Sequence, residues 1–253
     1  MFMPGVDVHR ALGPQAIGGV VPLAQSHAVP IRPGRLRTGA ARRSAALGPA
    51  LRPALKRSLD VAGAFGLLVA LLPLLLLVAV LVKADGGPAL FAHERVGRGG
   101  RRFGCLKFRS MVVDSAARLE ALLAADPEAR AEWEAARKLK RDPRVTAVGR
   151  FLRATSLDEL PQLLNVLRGE MSLVGPRPVP AAELAEHYGA AAALYASVRP
   201  GITGLWQVSG RSDTSYPARV ALDLRYAANP TLLGDLRILF KTPAAVLLRR
   251  GAY

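Results

Sequence analysis

The chain has 253 residues, enough for one large domain or two small ones, and carries 35 Lys and Arg against 19 Asp and Glu, a formal net charge of +16. That surplus suits phosphorylated substrates, polyanions or an anionic membrane surface. A lone cysteine, Cys105, excludes an intramolecular disulfide framework and a cysteine-clustered zinc site, and an aromatic content of 6% argues against a stacking platform for single-stranded nucleic acid.

Residues 1–50 are rich in Ala, Gly, Pro and Arg, with Asp7 as their only acid. They are expected to form a disordered basic tail. Val61 to Val82 then run for 22 residues without a charge. As a helix this stretch measures about 33 Å, the thickness of a bilayer core. Pro73 stands in its middle, where it removes a backbone hydrogen bond and leaves two arms of about 15 Å, each too short to cross alone. Both flanks are basic: Arg52, Lys56 and Arg57 precede the run, and Lys83, Arg95, Arg98, Arg101 and Arg102 follow it. The positive-inside rule therefore favours the cytoplasmic face for both ends. A re-entrant helix hairpin over residues 55–84 meets both observations, and a kinked span is the alternative. Asp60, at the entry, can pair with Lys56 or Arg57 at the interface.

Residues 85–253 form the body. Asp85-Gly-Gly-Pro88 signals a turn. Two short runs, one from Phe91 and one from Arg102, flank Arg98-Gly-Gly and read as a small β-hairpin. The glycine pair fits either a backbone nest for an anion or a plain tight turn. Residues 113–139 are Ala-, Glu- and Arg-rich and are interrupted at Asp126-Pro127, the pattern of a solvated helical hairpin without chemistry.

Val145 to Arg153 leads into adjacent carboxylates, Asp158 and Glu159. Pro161 locates a helix start nearby, since proline is tolerated in a first turn. With Asp158 as N-cap, Pro161 becomes the third helical residue, and both carboxylates sit at the positive end of a helix dipole, where phosphate is also favoured. Ser156-x-x-Glu159 also matches a capping box, a purely structural use of the same residues. Basic residues weigh against that reading. Arg153 lies five positions upstream, Arg177 lies in the stiff turn Gly175-Pro-Arg-Pro178, and Arg199-Pro-Gly201 and Ser209-Gly-Arg211 follow. Arginines held in Gly/Pro-rich loops are suited to bidentate phosphate recognition. Residues 226–253 mix Leu and Phe with Arg and Lys. They fit an amphipathic helix that packs on the core or lies among lipid headgroups.

Several stretches recur together, in order, over residues 55–253: Lys56-Arg57-x-x-Asp60, Glu94-Arg-Val-Gly97, Lys107-Phe-Arg-Ser-Met111, Thr155 to Gln162, Asn165-Val-Leu167, Met171 to Pro178, Arg199 to Gly204, and Arg250-Gly-Ala-Tyr253. In these the chain resembles the bacterial sugar transferases, the monotopic polyprenyl-phosphate sugar-1-phosphate (phosphoglycosyl) transferases. The resemblance implies a helix-dominated α/β fold, with the re-entrant helix and a catalytic domain on the cytoplasmic face of the bacterial inner membrane. It implies transfer of a sugar 1-phosphate from a UDP-sugar to undecaprenyl phosphate by a ping-pong route, through a covalent aspartyl phospho-sugar intermediate, as the first membrane step of exopolysaccharide, capsule or O-antigen-type glycan synthesis. Asp158 would be the nucleophile and Glu159 its supporting base or orienting group. Mg²⁺ beside Asp158 would neutralise the diphosphate, and Arg153, Arg177, Arg211, Lys107 and Arg109 would form the basic, phosphate-binding set. Such a family usually places Ser-Pro at the membrane break, where this chain has Leu72-Pro73, and glutamine where this chain has His93. A catalytically inactive membrane scaffold that recruits glycosyltransferases is the competing reading, opposed by the retained carboxylates and arginines. A nucleic-acid binder has only the net charge in its favour, since no recognised motif is present. The sugar is left open.

Overall fold

The computed structural model describes residues 51–136, 139–210 and 214–247. The expected basic tail, Arg211 and the terminal Arg250–Tyr253 lie outside them. Helix α1 (Leu51–Lys83) continues through Pro73 without interruption. Its Pro53–Lys83 portion is long and apolar enough to cross a membrane, with a mean hydropathy of 3.1 over its most apolar 18 residues. One side is bare, with Phe65, Val69, Leu72, Leu76 and Val80 all exposed. The other side packs on the body at two places. Ala64 and Leu68 join Leu163, Val166 and Leu173, while Val78 and Val82 join Phe108 and Leu152.

Polar contacts fasten the helix entry. Lys56 donates to Asp235 at 2.7 Å, and Arg57 donates to the carbonyls of Val166 (2.6 Å) and Leu167 (3.1 Å). Asp60 is buried; it lies 3.7 Å from Lys56, as the sequence suggests, but its hydrogen bond comes from the backbone N–H of Leu173 at 3.0 Å. Paired in this way, a buried carboxylate is tolerable beside an apolar helix.

Strands β1 (Leu90–Val96) and β2 (Arg102–Phe108) form the expected antiparallel hairpin, with Phe91 opposite Lys107, His93 opposite Cys105 and Arg95 opposite Phe103. In the connecting turn Gly99 donates to Ala196 O and Gly100 to Gly97 O, so these N–H groups are spent and the turn is no anion nest. Helices α2 (Ser115–Ala125) and α3 (Pro127–Ala136) follow. Asp126 between them accepts from the N–H groups of Glu128 and Ala129, which explains the break. Helices α4 (Ala147–Thr155) and α5 (Gln162–Arg168) flank the carboxylates.

A second, parallel pair was not expected from the sequence: β3 (Ser172–Val174) beside β4 (Gly201–Thr203). Its close approach needs glycine, because a Cβ on Gly175 would stand 2.3 Å from Arg199 O. Helices α6 (Ala181–Tyr188), α7 (Ala192–Tyr195), α8 (Tyr216–Ala228) and α9 (Leu232–Leu247) complete the described residues. The C-terminal segment expected to be helical from Tyr226 onward begins with the end of α8 and continues in α9, with a break at Asn229-Pro230, where proline cannot continue α8. Helix α9 buries Asp235 and Ile238 and leaves Leu233, Leu236 and Phe240 exposed.

Candidate active site

The carboxylates do not cap a helix. Helix α4 starts at Thr146, whose hydroxyl accepts from Gly149 N at 2.8 Å, and ends at Ser156 in the left-handed conformation, φ 60°. Ser156 is the one non-glycine residue with positive φ among the described residues. Its N–H turns back to the carbonyls of α4, closing that helix. An N-cap needs an extended backbone, so Ser156 cannot also open a capping box. A single 3₁₀ turn over Leu157–Glu159 follows, and α5 begins at Gln162 with no side-chain cap. The expectation of Asp158 as N-cap and Pro161 as third helical residue is therefore corrected. The turn is pinned on each side by Leu157 and Leu160, which pack into separate apolar clusters.

This turn lies in a cleft of about 720 Å³ lined by residues of β1, β2, the 110–115 segment, α4 and the 176–178 and 206–207 loops. Asp158, Glu159, Lys107, Arg109, Arg153 and Arg177 all line it. Lys107 donates to Glu159 at 2.6 Å and stands 3.8 Å from Asp158 Oδ2, beyond hydrogen-bond range. Burial pushes the Asp158 carboxyl up to about 6; Lys107 and Arg153 pull it down, and the neighbouring Glu159 charge pushes it further up. Burial opposes the Lys107 charge, but Glu159 and Asp158 outweigh it and hold the ammonium above its ordinary value. Asp158 is therefore mostly ionised at neutral pH, poorly solvated, and has a lysine nearby that is bonded to the adjacent carboxylate.

The arginines divide by what holds them. Arg153 is exposed and donates its Nε to Ser110 Oγ at 2.9 Å, which orients the outer guanidinium nitrogens. Arg177 is exposed, with its guanidinium 5.2 Å from the Trp206 ring centroid. Its carbonyl accepts from the buried Tyr195 hydroxyl at 2.8 Å, which fixes the loop from behind. Arg109 differs, since each of its five N–H donors has a protein acceptor. These are the two Asp85 oxygens and the carbonyls of Val82, Pro88 (2.8 Å) and Met111 (3.0 Å). It clamps the exit of α1 to the end of β2.

Asn165, fully buried on α5, does comparable work at the other end of the site. Its Oδ1 accepts from Leu106 N at 2.9 Å, and its Nδ2 donates to Gly104 O (2.8 Å) and Glu170 (2.6 Å). Those bonds fix β2 and thereby place Lys107 against the carboxylates. Sequence reasoning gave no role to Asn165, Asp85, Ser110 or Trp206. For Arg95 a signal existed, since Phe91, His93 and Arg95 alternate along β1 and all three line the cleft.

No group of three or more His, Cys, Asp or Glu that could hold a metal is present among the described residues. Mg²⁺ is commonly held by one or two carboxylates together with substrate phosphates and water. Asp158 meets that requirement, whereas Glu159 is taken by Lys107. The donor set fits Mg²⁺ as a companion of a bound diphosphate.

Residues 51–249 match the family model described as bacterial sugar transferase. The chain is 57% identical over 199 residues to the UDP-galactose-lipid carrier transferase of Erwinia amylovora, which covers 79% of this chain and 42% of that protein. It is 56% identical to the undecaprenyl-phosphate galactose phosphotransferase of Salmonella typhimurium, with the same coverage. It is 55% identical to the exopolysaccharide production protein ExoY of Sinorhizobium fredii, over 78% of this chain and 88% of that protein. The chain thus spans about two fifths of the length of the first two relatives and most of the third.

Proposed function

The chain belongs to the bacterial sugar transferase family, and from that premise we propose that it moves a sugar 1-phosphate from a UDP-sugar to undecaprenyl phosphate. One observation carries the reading. A buried carboxylate, Asp158, lies in a cation-lined cleft, 3.8 Å from Lys107 and with no hydrogen bond from it. In the first step an Asp158 oxygen attacks the phosphorus bearing the sugar. The bond to the nucleotide oxygen breaks, its electron pair stays on the departing UMP, and no proton is needed. In the second step a phosphate oxygen of the lipid attacks the same phosphorus and the Asp158 carboxylate is restored. A carboxylate is a weak nucleophile, so placement matters more than basicity. Phosphoryl transfer rests on alignment and charge neutralisation, which Lys107, Arg153 and Arg177 supply from fixed positions. Bound Mg²⁺ would add charge neutralisation at the diphosphate. Arg109 acts here by positioning, since its donors are filled by protein.

The membrane arrangement belongs to the same proposal. Both the Ala64 end and the Val82 end of α1 pack on the catalytic body, which supports a helix whose two ends share the cytoplasmic face of the inner membrane. The names of the galactose relatives above, and of the UDP-glucose:undecaprenyl-phosphate glucose-1-phosphate transferase of Caulobacter vibrioides, 43% identical over 208 residues, point to galactose or glucose as the sugar.

The test is UMP release from a panel of UDP-sugars by the chain in lipid nanodiscs. Wild type is expected to release UMP from UDP-galactose or UDP-glucose in the presence of Mg²⁺, to stop in EDTA and to recover when Mg²⁺ is returned. Asp158→Asn is expected to lower the rate by at least about 10³-fold. Near-wild-type turnover by that variant would remove Asp158 as nucleophile.

A further inference from the structure

Behind the carboxylate turn a smaller recess of about 50 Å³ opens off the cleft. It shares Arg95, Lys107, Glu159, Arg177, Trp206 and Gln207 with the cleft, but Asp158 does not line it. Arg95 and Arg177 are brought together by the backbone. Val96 N donates to Val179 O at 3.0 Å, which ties the end of β1 to the Arg177 loop. Arg95 is half-buried, and its Nη1 donates a long bond, 3.3 Å, to the carbonyl of Glu94. No acid pairs with it or with Arg177 among the described residues. Two further polar atoms lack partners. Trp206 is only 5% exposed, yet its indole Nε1 has no acceptor, and Gln207 Oε1 is buried without a donor. A buried N–H left unbonded costs on the order of 1–3 kcal/mol, so orphans at a recess wall are groups that a bound molecule can satisfy.

We propose that this recess is a second anion subsite, in which Arg95, Arg177 and the Trp206 N–H hold the phosphate of the departing nucleotide. The inference rests on the transfer reaction proposed above. The two guanidinium groups and the indole N–H call for an anion. The orphan acceptor on Gln207 calls for an O–H or N–H on the same molecule, as a ribose or a base provides. A sugar 1-phosphate carries an anion and hydroxyls too. Asp158 separates the two sources: the attacked phosphorus must touch that carboxylate, and the recess excludes it. The group in the recess is therefore the other phosphate, on the nucleotide side. Arg95 is accordingly a substrate-binding residue for the leaving group.

Calorimetric titration of the full chain in nanodiscs tests this without turnover, using UMP in one arm and galactose 1-phosphate in the other. Wild type is expected to bind UMP, and Arg95→Gln to weaken it at least about tenfold with partial recovery in Arg95→Lys, as loss of charge-assisted bonds implies. Trp206→Phe keeps an aromatic ring for the arginines and removes the indole N–H together with its five-membered ring; it is expected to weaken UMP several-fold, and it decides the matter if Arg95→Gln unfolds. Galactose 1-phosphate is expected to bind Arg95→Gln as it binds wild type, and Asp158→Asn to keep wild-type affinity for UMP. Unchanged UMP affinity in both Arg95→Gln and Trp206→Phe would overturn the assignment. So would a wild type that ignores UMP at millimolar concentration, or a parallel loss of both ligands in Arg95→Gln. If Asp158→Asn still turned over UDP-sugar while the titrations came out as expected, the nucleophile would be wrong and the subsite would stand.

Discussion

Asp158 illustrates how a functional group is held at some expense to the fold. Burial raises its carboxyl to about 6 from the ordinary 3.8. The folded chain therefore binds this proton more tightly than the unfolded chain does. Stability from this group is fully present below pH about 4 and is lost as pH rises through about 6, on the order of 3 kcal/mol in all. Asp158→Asn is accordingly expected to raise the melting temperature at pH 7.5 while abolishing turnover; a lower melting temperature would mean the carboxylate is stabilising where it sits. Because the attacking oxygen must be ionised, kcat/KM for UMP release should fall on the acid side with an apparent pKa near 6. Lys107 holds that value down, so Lys107→Met should move the acid limb upward as well as lower the rate. A limb near 4 in wild type would contradict the burial argument. Asp158, Glu159, Arg153 and Arg177 were legible from residue type and setting, and Lys107 only through the family resemblance; all five line the same cleft. The sequence did not reveal that the donors of Arg109 are all taken, since Asp85 and the three carbonyls come from segments whose meeting depends on tertiary structure.

At the scale of elements the same contrast holds. Two short runs around a glycine-rich connection announced the β1–β2 hairpin, and Asp126-Pro127 announced the α2–α3 break. The capping box misled because Ser156 had already been used to close α4, and a residue with φ 60° cannot open the next helix. The three-residue strands β3 and β4 pair over a distance that no local pattern reports. What aligns the elements is a few buried contacts. Asn165 bonds three groups across β2 and the end of α5, so Asn165→Ala should lower stability by about 2–4 kcal/mol by chemical denaturation, since it strands Leu106 N and Gly104 O. Gly149 lets α4 pass against Ser110; a Cβ there would stand 1.9 Å from Ser110 O. Gly149→Ala should thus shift Arg153 and cut UMP release at least about tenfold even where the fold survives. A variant with wild-type stability and activity would show that α4 is not fixed by this contact.

For the whole molecule the central relation is between α1 and the body. The uncharged run was plain from composition, as was its proline. Its continuity through Pro73 was not, since the cost of a missing bond and a crowded turn can be met by bending rather than by breaking. Cysteines introduced before Lys56 and after Lys83 should both react with an impermeant maleimide from the cytoplasmic side only. The native Cys105 is buried and its thiol is raised to about 11 by burial, so it adds little background. Labelling from opposite sides would replace the re-entrant arrangement with a span. The account as a whole stands on covalent capture of phosphorus by one carboxylate. Its most direct test is intact-mass and peptide mass spectrometry of the wild-type chain mixed with UDP-galactose or UDP-glucose and Mg²⁺, without lipid acceptor. The predicted result is a hexose-phosphate adduct on the peptide carrying Asp158, absent from Asp158→Asn and discharged on addition of undecaprenyl phosphate; UMP release that requires the lipid, with no adduct at any time after mixing, would contradict it.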